Sequence, residues 1–91
     1  MANAQKFLNR AIELDPKSST VWRMLAGVYH NQKNDGMFNL AMAEESNLQD
    51  KNEEARSYAR KAKKLLQKNS PSWIRANDIL ADVKIKKDNE E

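Results

Sequence analysis

The feature that most constrains this chain is the spacing of apolar residues in residues 19–32, STVWRMLAGVYHNQ. Trp22, Leu25, Ala26 and Tyr29 stand at i, i+3, i+4 and i+7, one face of an α-helix. Val21 and Val28 widen that face into a broad sector, and Ala26 between bulky neighbours leaves room for a second helix to come close. The same periodicity recurs along the chain. With only two Gly and two Pro in 91 residues and few β-branched residues, the expected fold is all-α, with about five antiparallel helices.

The helix ends are punctuated by their own chemistry. A first helix is expected over 3–14, with Asn3 as N-cap and Ala4, Phe7, Leu8, Ala11, Ile12 and Leu14 as its apolar side. Pro16 ends it, because proline cannot continue the hydrogen-bond ladder. Ser18 or Ser19 caps a second helix that ends near Lys33. Asn34-Asp35-Gly36 is a turn signal, with Asp35 a possible cap for a third helix over 36–48. The first half of that helix, MFNLAMA, is apolar nearly all round, so it should be sandwiched between neighbours. Its second half, from Glu44 and Glu45, reads as a solvated helix end. Asp50 and Glu53 resemble a capping box opening a fourth helix over 51–68, with Ala55, Tyr58, Ala59, Ala62, Leu65 and Leu66 inward. Ser70-Pro71 begins a fifth over 71–84, with Trp73, Ile74, Ala76, Asn77, Leu80 and Val83 inward. Residues 1–85 then form one helical domain and 86–91 a disordered polar tail.

An internal repeat links two parts of the chain. Ala4, Phe7, Ala11, Leu14, Lys17 and Trp22 match Ala55, Tyr58, Ala62, Leu65, Lys68 and Trp73 in order and spacing. Trp22, Leu25, Ala26 and Tyr29 also match the W-x2-L-G-x2-Y opening of the tetratricopeptide repeat, with Ala for Gly. The chain thus resembles a tetratricopeptide-type right-handed superhelical array. In that register helix one is the second half of a repeat, which implies a fragment of a longer protein whose missing partner helix leaves an apolar side exposed. Asn39 and Ser46 depart from the pattern, standing where helix three would carry the Trp and Tyr.

More narrowly, residues 37–80 are similar to the C-terminal region of bacterial zinc metalloproteases of the β-barrel assembly-enhancing type. Ser70, Pro71, Trp73, Arg75, Ala76, Asp78, Ile79 and Leu80 match its S-P-x-W-x-R-A-x-D-I-L ending. The resemblance implies a periplasmic parent and, for this chain, its non-catalytic tail, which recognises substrates or partner proteins. The H-E-x-x-H zinc motif of that family is not in this sequence, where His30 is the only His and Asn31 follows it. By the resemblance to tetratricopeptide arrays, in which the first helix of each pair lines a concave groove, the lining residues on helix two are Thr20, Arg23, Met24, Gly27, His30 and Asn31. Leu40, Ala41 and Glu44 would line the groove on helix three. A carboxylate clamp of the repeat family needs Asn four residues after a basic residue. Here Gly27 follows Arg23, and a glycine would let a peptide backbone approach.

Other readings of the residues are weaker. Glu44, Glu45 and Asp50 could form a metal or acid–base cluster, but with no Cys and one His no metal site or cofactor is expected. No nucleophile–base pair is visible, so no enzymatic activity is expected of this chain. Arg56, Arg60, Lys63 and Lys64 form a basic stripe at helical spacing that could meet nucleic acid or an anionic membrane surface. Glu53 and Glu54 dilute it and aromatic residues are nearly absent, so a solvated face is favoured. Trp22 and Trp73 read as core rather than as binding anchors. The net charge of +3 is ordinary for a small domain and demands no acidic partner. The segment MANAQKF has neither the basic nor the apolar region of a signal peptide, and the cytoplasm stays open. Two function classes therefore remain: a protein- or peptide-binding module, with weak self-association through helix one, and a basic helical domain that binds nucleic acid or, peripherally, a membrane.

Overall fold

A computed structural model describes the backbone of residues 2–90 and the side chains of 3–85. The described residues are all-helical: α1 (Ala2–Leu14), α2 (Ser19–Asn31), α3 (Asp35–Leu48), α4 (Asn52–Leu65) and α5 (Pro71–Glu90). Consecutive helices pack as neighbours, and α3 also packs on α5. The result is an elongated slab, 44 × 26 × 18 Å, with α3 in the middle and α1 held only by α2. Helix α5 continues past the expected end at 84, so the backbone of 86–90, expected as a disordered tail, is helical; the side chains of 86–90 and all of residue 91 lie outside the described residues.

The expected caps form at two of the turns. Ser18 Oγ accepts from Val21 N at 3.3 Å, and Ser70 Oγ accepts from Trp73 N at 3.2 Å with Pro71 as the first helical residue. At α3 the cap is Asn34, not Asp35: its Oδ1 accepts from Met37 N. The ends of α2 and α3 share one device. Lys33 and Asp50 both adopt φ of 59°. Lys33 N donates to His30 O and Asn34 N to Tyr29 O; Asp50 N donates to Asn47 O and Lys51 N to Ser46 O. These paired bonds are the Schellman closure, built here on non-glycine residues. They overturn the capping box expected at Asp50. That residue closes α3, and Lys51, which makes no side-chain cap, precedes α4.

Two apolar clusters flank α3. On one side Leu40 and Ala43 meet Ala55, Ala59 and Ala62 of α4 and Ala76, Ile79 and Val83 of α5. On the other, Ala41 meets Leu25, Ala26, Val28 and Tyr29 of α2, with Leu8 of α1 beyond them. The inward faces differ from expectation at their edges. Leu65 and Ile74 are more than 45% exposed and Asn77 is exposed, whereas Ile79, absent from the expected face, is fully buried. Leu65 ends α4, one residue before the C-cap, and Ile74 lies on the opposite side of α5 from Ile79.

Two outcomes follow. Ala62→Leu forces three further carbons into a site with no exposed surface and should cost about 1–3 kcal/mol, read as a lower denaturation midpoint. Burial also pushes the Tyr29 phenol above its ordinary value. The folded state then favours the neutral form, so this contribution to stability is complete below the unfolded phenol's pKa and is lost as pH rises through the folded one. Above about pH 10 the native chain should lose stability more steeply than Tyr29→Phe, in parallel thermal melts.

Candidate functional site

A cleft of about 470 Å³ opens where the α1–α2 turn meets α3 and α5. Pro16 and Lys17 form its rim from the turn, Glu44, Asn47, Leu48 and Asp50 its wall along the end of α3, and Arg75 and Asp82 its wall on α5. Each side chain is placed by helical spacing. Glu44, Asn47 and Leu48 stand at i, i+3 and i+4, and Arg75 and Asp82 at i and i+7.

The centre of the cleft is an ion pair. Arg75 donates from Nε to Glu44 Oε2 and from Nη2 to Glu44 Oε1, both at 2.7 Å. The carboxylate side chain is only 7% exposed, while the guanidinium is half exposed. The hydrogen bonds to Glu44 raise the Arg75 pKa above its already high ordinary value, so Arg75 stays charged throughout the working pH range. Glu44 takes the Nε side of the guanidinium, which leaves the Nη1 edge for another acceptor. One turn further along, Asn47 Nδ2 donates to Asp82 Oδ2 at 2.9 Å, so α3 and α5 are tied twice in parallel register. Lys17 and Arg75 against Glu44, Asp50 and Asp82 give the walls charges of both signs.

These positions revise the expected groove. Thr20, Arg23, Met24, Gly27, His30 and Asn31 are indeed all exposed on α2. A Cβ built on Gly27 meets nothing within 4 Å, so a side chain there would stand in open space. On α3, Leu40 is buried in one apolar cluster and Ala41 in the other. His30 lies against Phe38 instead, with ring centroids 5.5 Å apart. Of the three residues expected on α3, Leu40, Ala41 and Glu44, only Glu44 lines the cleft, and its partner is on α5 rather than α2. Nor is the end of α3 solvated: Glu44, Glu45, Ser46 and Asn47 are all buried. The reason is tertiary, since α5 covers the side of the helix on which Glu44 and Asn47 stand. Lys17, Asn47, Arg75 and Asp82 were missed as groove residues. The one available signal was Arg75 within the S-P-x-W-x-R run, and nothing in the sequence joins it to a residue 31 positions away.

The basic stripe on α4 is broken up. Arg56 pairs with Glu53 at 3.8 Å. Lys63 donates to Asn77 Oδ1 at 2.9 Å and lies 4.8 Å from the Trp73 ring centre, within cation–π range. Arg60 and Lys64 are exposed. Neither tryptophan is fully buried; Trp22 donates from its indole to Pro16 O at 3.0 Å. Among the described residues no group of His, Cys, Asp and Glu could hold a metal ion, and no helix is long and apolar enough to cross a membrane.

Fold and cleft together define an all-α module with a charged concave surface. Neither family models, nor curated proteins, nor solved structures provide a match to this chain.

If the Glu44–Arg75 pair ties α3 to α5, Arg75→Ala strands a buried carboxylate. Because the guanidinium is half exposed, the cost should be modest, about 1–2 kcal/mol. Adding Glu44→Gln should restore part of it. A double-mutant cycle by urea denaturation reads this coupling directly.

Proposed function

We propose that this chain is a non-catalytic protein-interaction module that binds an extended peptide segment in the cleft between α3 and α5. The observation that carries this reading is the anchored Arg75. A guanidinium held on one edge by a buried carboxylate loses little further freedom on accepting a ligand, and Arg75 lines a recess of about 470 Å³. Walls of mixed charge suit a peptide, whose main chain and side chains offer both donors and acceptors. The exposed face of α2, with open space at Gly27, extends the surface available to the same class of partner.

In this reading the packing of α3 on both α4 and α5 is one unit of a tetratricopeptide-like array. The narrower role, as the recognition tail of an exported zinc metalloprotease acting in the periplasm, rests on the residue likeness of 37–80, whose most specific part is the closing 70–80. Binding of nucleic acid or anionic membrane is less favoured, because Arg56 and Lys63 are engaged within the fold.

A peptide-display selection against the intact chain tests this proposal, with Arg75→Ala and the exposed turn variant Lys17→Glu as counter-targets. Selected peptides should shift the amides of Glu44, Asn47 and Arg75 at moderate salt and bind at least about tenfold more weakly to both variants. Peptides that bind all three proteins alike would contradict it. So would shifts confined to Arg56, Arg60 and Lys64 that vanish with salt.

A further inference from the structure

Helix α1 carries apolar surface that nothing in the described structure covers. Phe7 and Leu14 are each 74% exposed, against 8% for Leu8, which faces α2. With Ala4 and Ala11, Phe7 and Leu14 stand at i, i+3, i+7 and i+10, a continuous seam along one side of the helix.

The chain itself contains a covered version of that seam. In the internal repeat Ala4, Phe7 and Ala11 correspond to Ala55, Tyr58 and Ala62 of α4. There the two alanines have no exposed surface and the tyrosine packs against the core cluster. Helix α4 achieves this because it has two neighbours, α3 and α5. Helix α1 has one, α2, which corresponds to α5 through the match of Trp22 with Trp73. The neighbour without a counterpart is α3.

We infer that the outer side of α1 is a docking surface for one amphipathic helix of α3's kind, supplied by a protein partner and lying antiparallel to α1. The chemistry of that helix follows from how α3 meets α4. Gly36, at the start of α3, lies against the end of α4: a Cβ there would be 2.9 Å from Leu66 Cδ2 and 3.5 Å from Leu65 Cβ. Leu40 and Ala43 follow at the next two turns. The partner helix therefore presents a small residue where Gly36 meets Leu66 and Leu65, whose counterparts on α1 are Asp15 and Leu14, and then a leucine and another small residue toward Ala11, Phe7 and Ala4. A second copy of this chain is a poor source, because its α3 is already enclosed by α2, α4 and α5.

The probe is a synthetic capped peptide with the sequence of residues 34–49, titrated into the ¹⁵N-labelled intact chain. The expected result is saturable shifts at Ala4, Phe7, Ala11 and Leu14. Binding should weaken at least about tenfold for Phe7→Asp, an exposed position whose change spares the fold, and for a peptide carrying Leu40→Asp. Lys17→Glu, which impairs the cleft, should leave it unchanged, so failure here is distinct from failure of the peptide-binding reading. Shifts on α4 from displacement of the chain's own α3 would overturn the inference. So would an absence of saturable shifts at about 1 mM peptide, or self-association through α1 without peptide.

Discussion

The structure depends on alanine contacts. Ala43, Ala55, Ala59, Ala62 and Ala76 have no exposed surface at all, and they lie where α3, α4 and α5 meet. A methyl group costs no side-chain entropy on burial and lets two backbones approach closely, so three helices can share one seam. The larger side chains, Ile79 and Val83 from α5 and Leu40 from α3, fill what the alanines leave open. Dispersion across such a seam is weak for each atom pair and large in sum, and it is lost steeply when the surfaces separate. This is why the centre of the fold lies at α3–α5, while α1 rests on Leu8 and Ile12 against a single neighbour.

Close packing has a consequence for polar groups. The end of α3 is drawn under α5 although its sequence there is Glu-Glu-Ser-Asn. Burying those side chains is costly unless they find partners. Glu44 finds Arg75, Asn47 finds Asp82, and at the other end of the helix Asn39 Nδ2 donates to Asp35 O at 2.8 Å. Glu45 Oε2 and Asn52 Oδ1 are buried without a hydrogen-bond partner among the described residues. The pairs that satisfy α3 are the same ones that fix the walls of the cleft. The ion pair that closes α3 onto α5 thus also fixes how the Arg75 guanidinium is held at the cleft.

Much of the fold was legible in the sequence because helix ends carry local chemistry. Ser18, Ser70-Pro71 and the break at Pro16 need only their immediate neighbours to act, and they act as expected. The all-round apolar run of α3 likewise foretold its sandwiched position. The errors arose where tertiary contact decides. Asp50 has the residue type of a cap but closes the preceding helix in a left-handed turn, a choice set by where α3 must stop. Glu44 and Glu45 look solvated until Arg75 arrives from 31 residues away. The candidate groove failed for the same reason. Helical spacing told which residues of α2 share a face, and those are exposed. It could not tell that α3 would turn Leu40 and Ala41 into the two clusters and set Glu44, Asn47 and Leu48 into a concave wall beside α5.

The central claim is that stability is concentrated in the alanine seam and declines toward α1. Native-state hydrogen exchange measures this residue by residue. The account predicts that amides around Ala43, Ala59, Ala62 and Ala76 exchange only through global unfolding, with a denaturant dependence equal to that of the whole chain. Amides around Leu8 and Ile12 should exchange through a smaller opening of lower free energy. Equal protection across α1 and α3, or local opening at Ala59 and Ala76 while α1 stays closed, would contradict it.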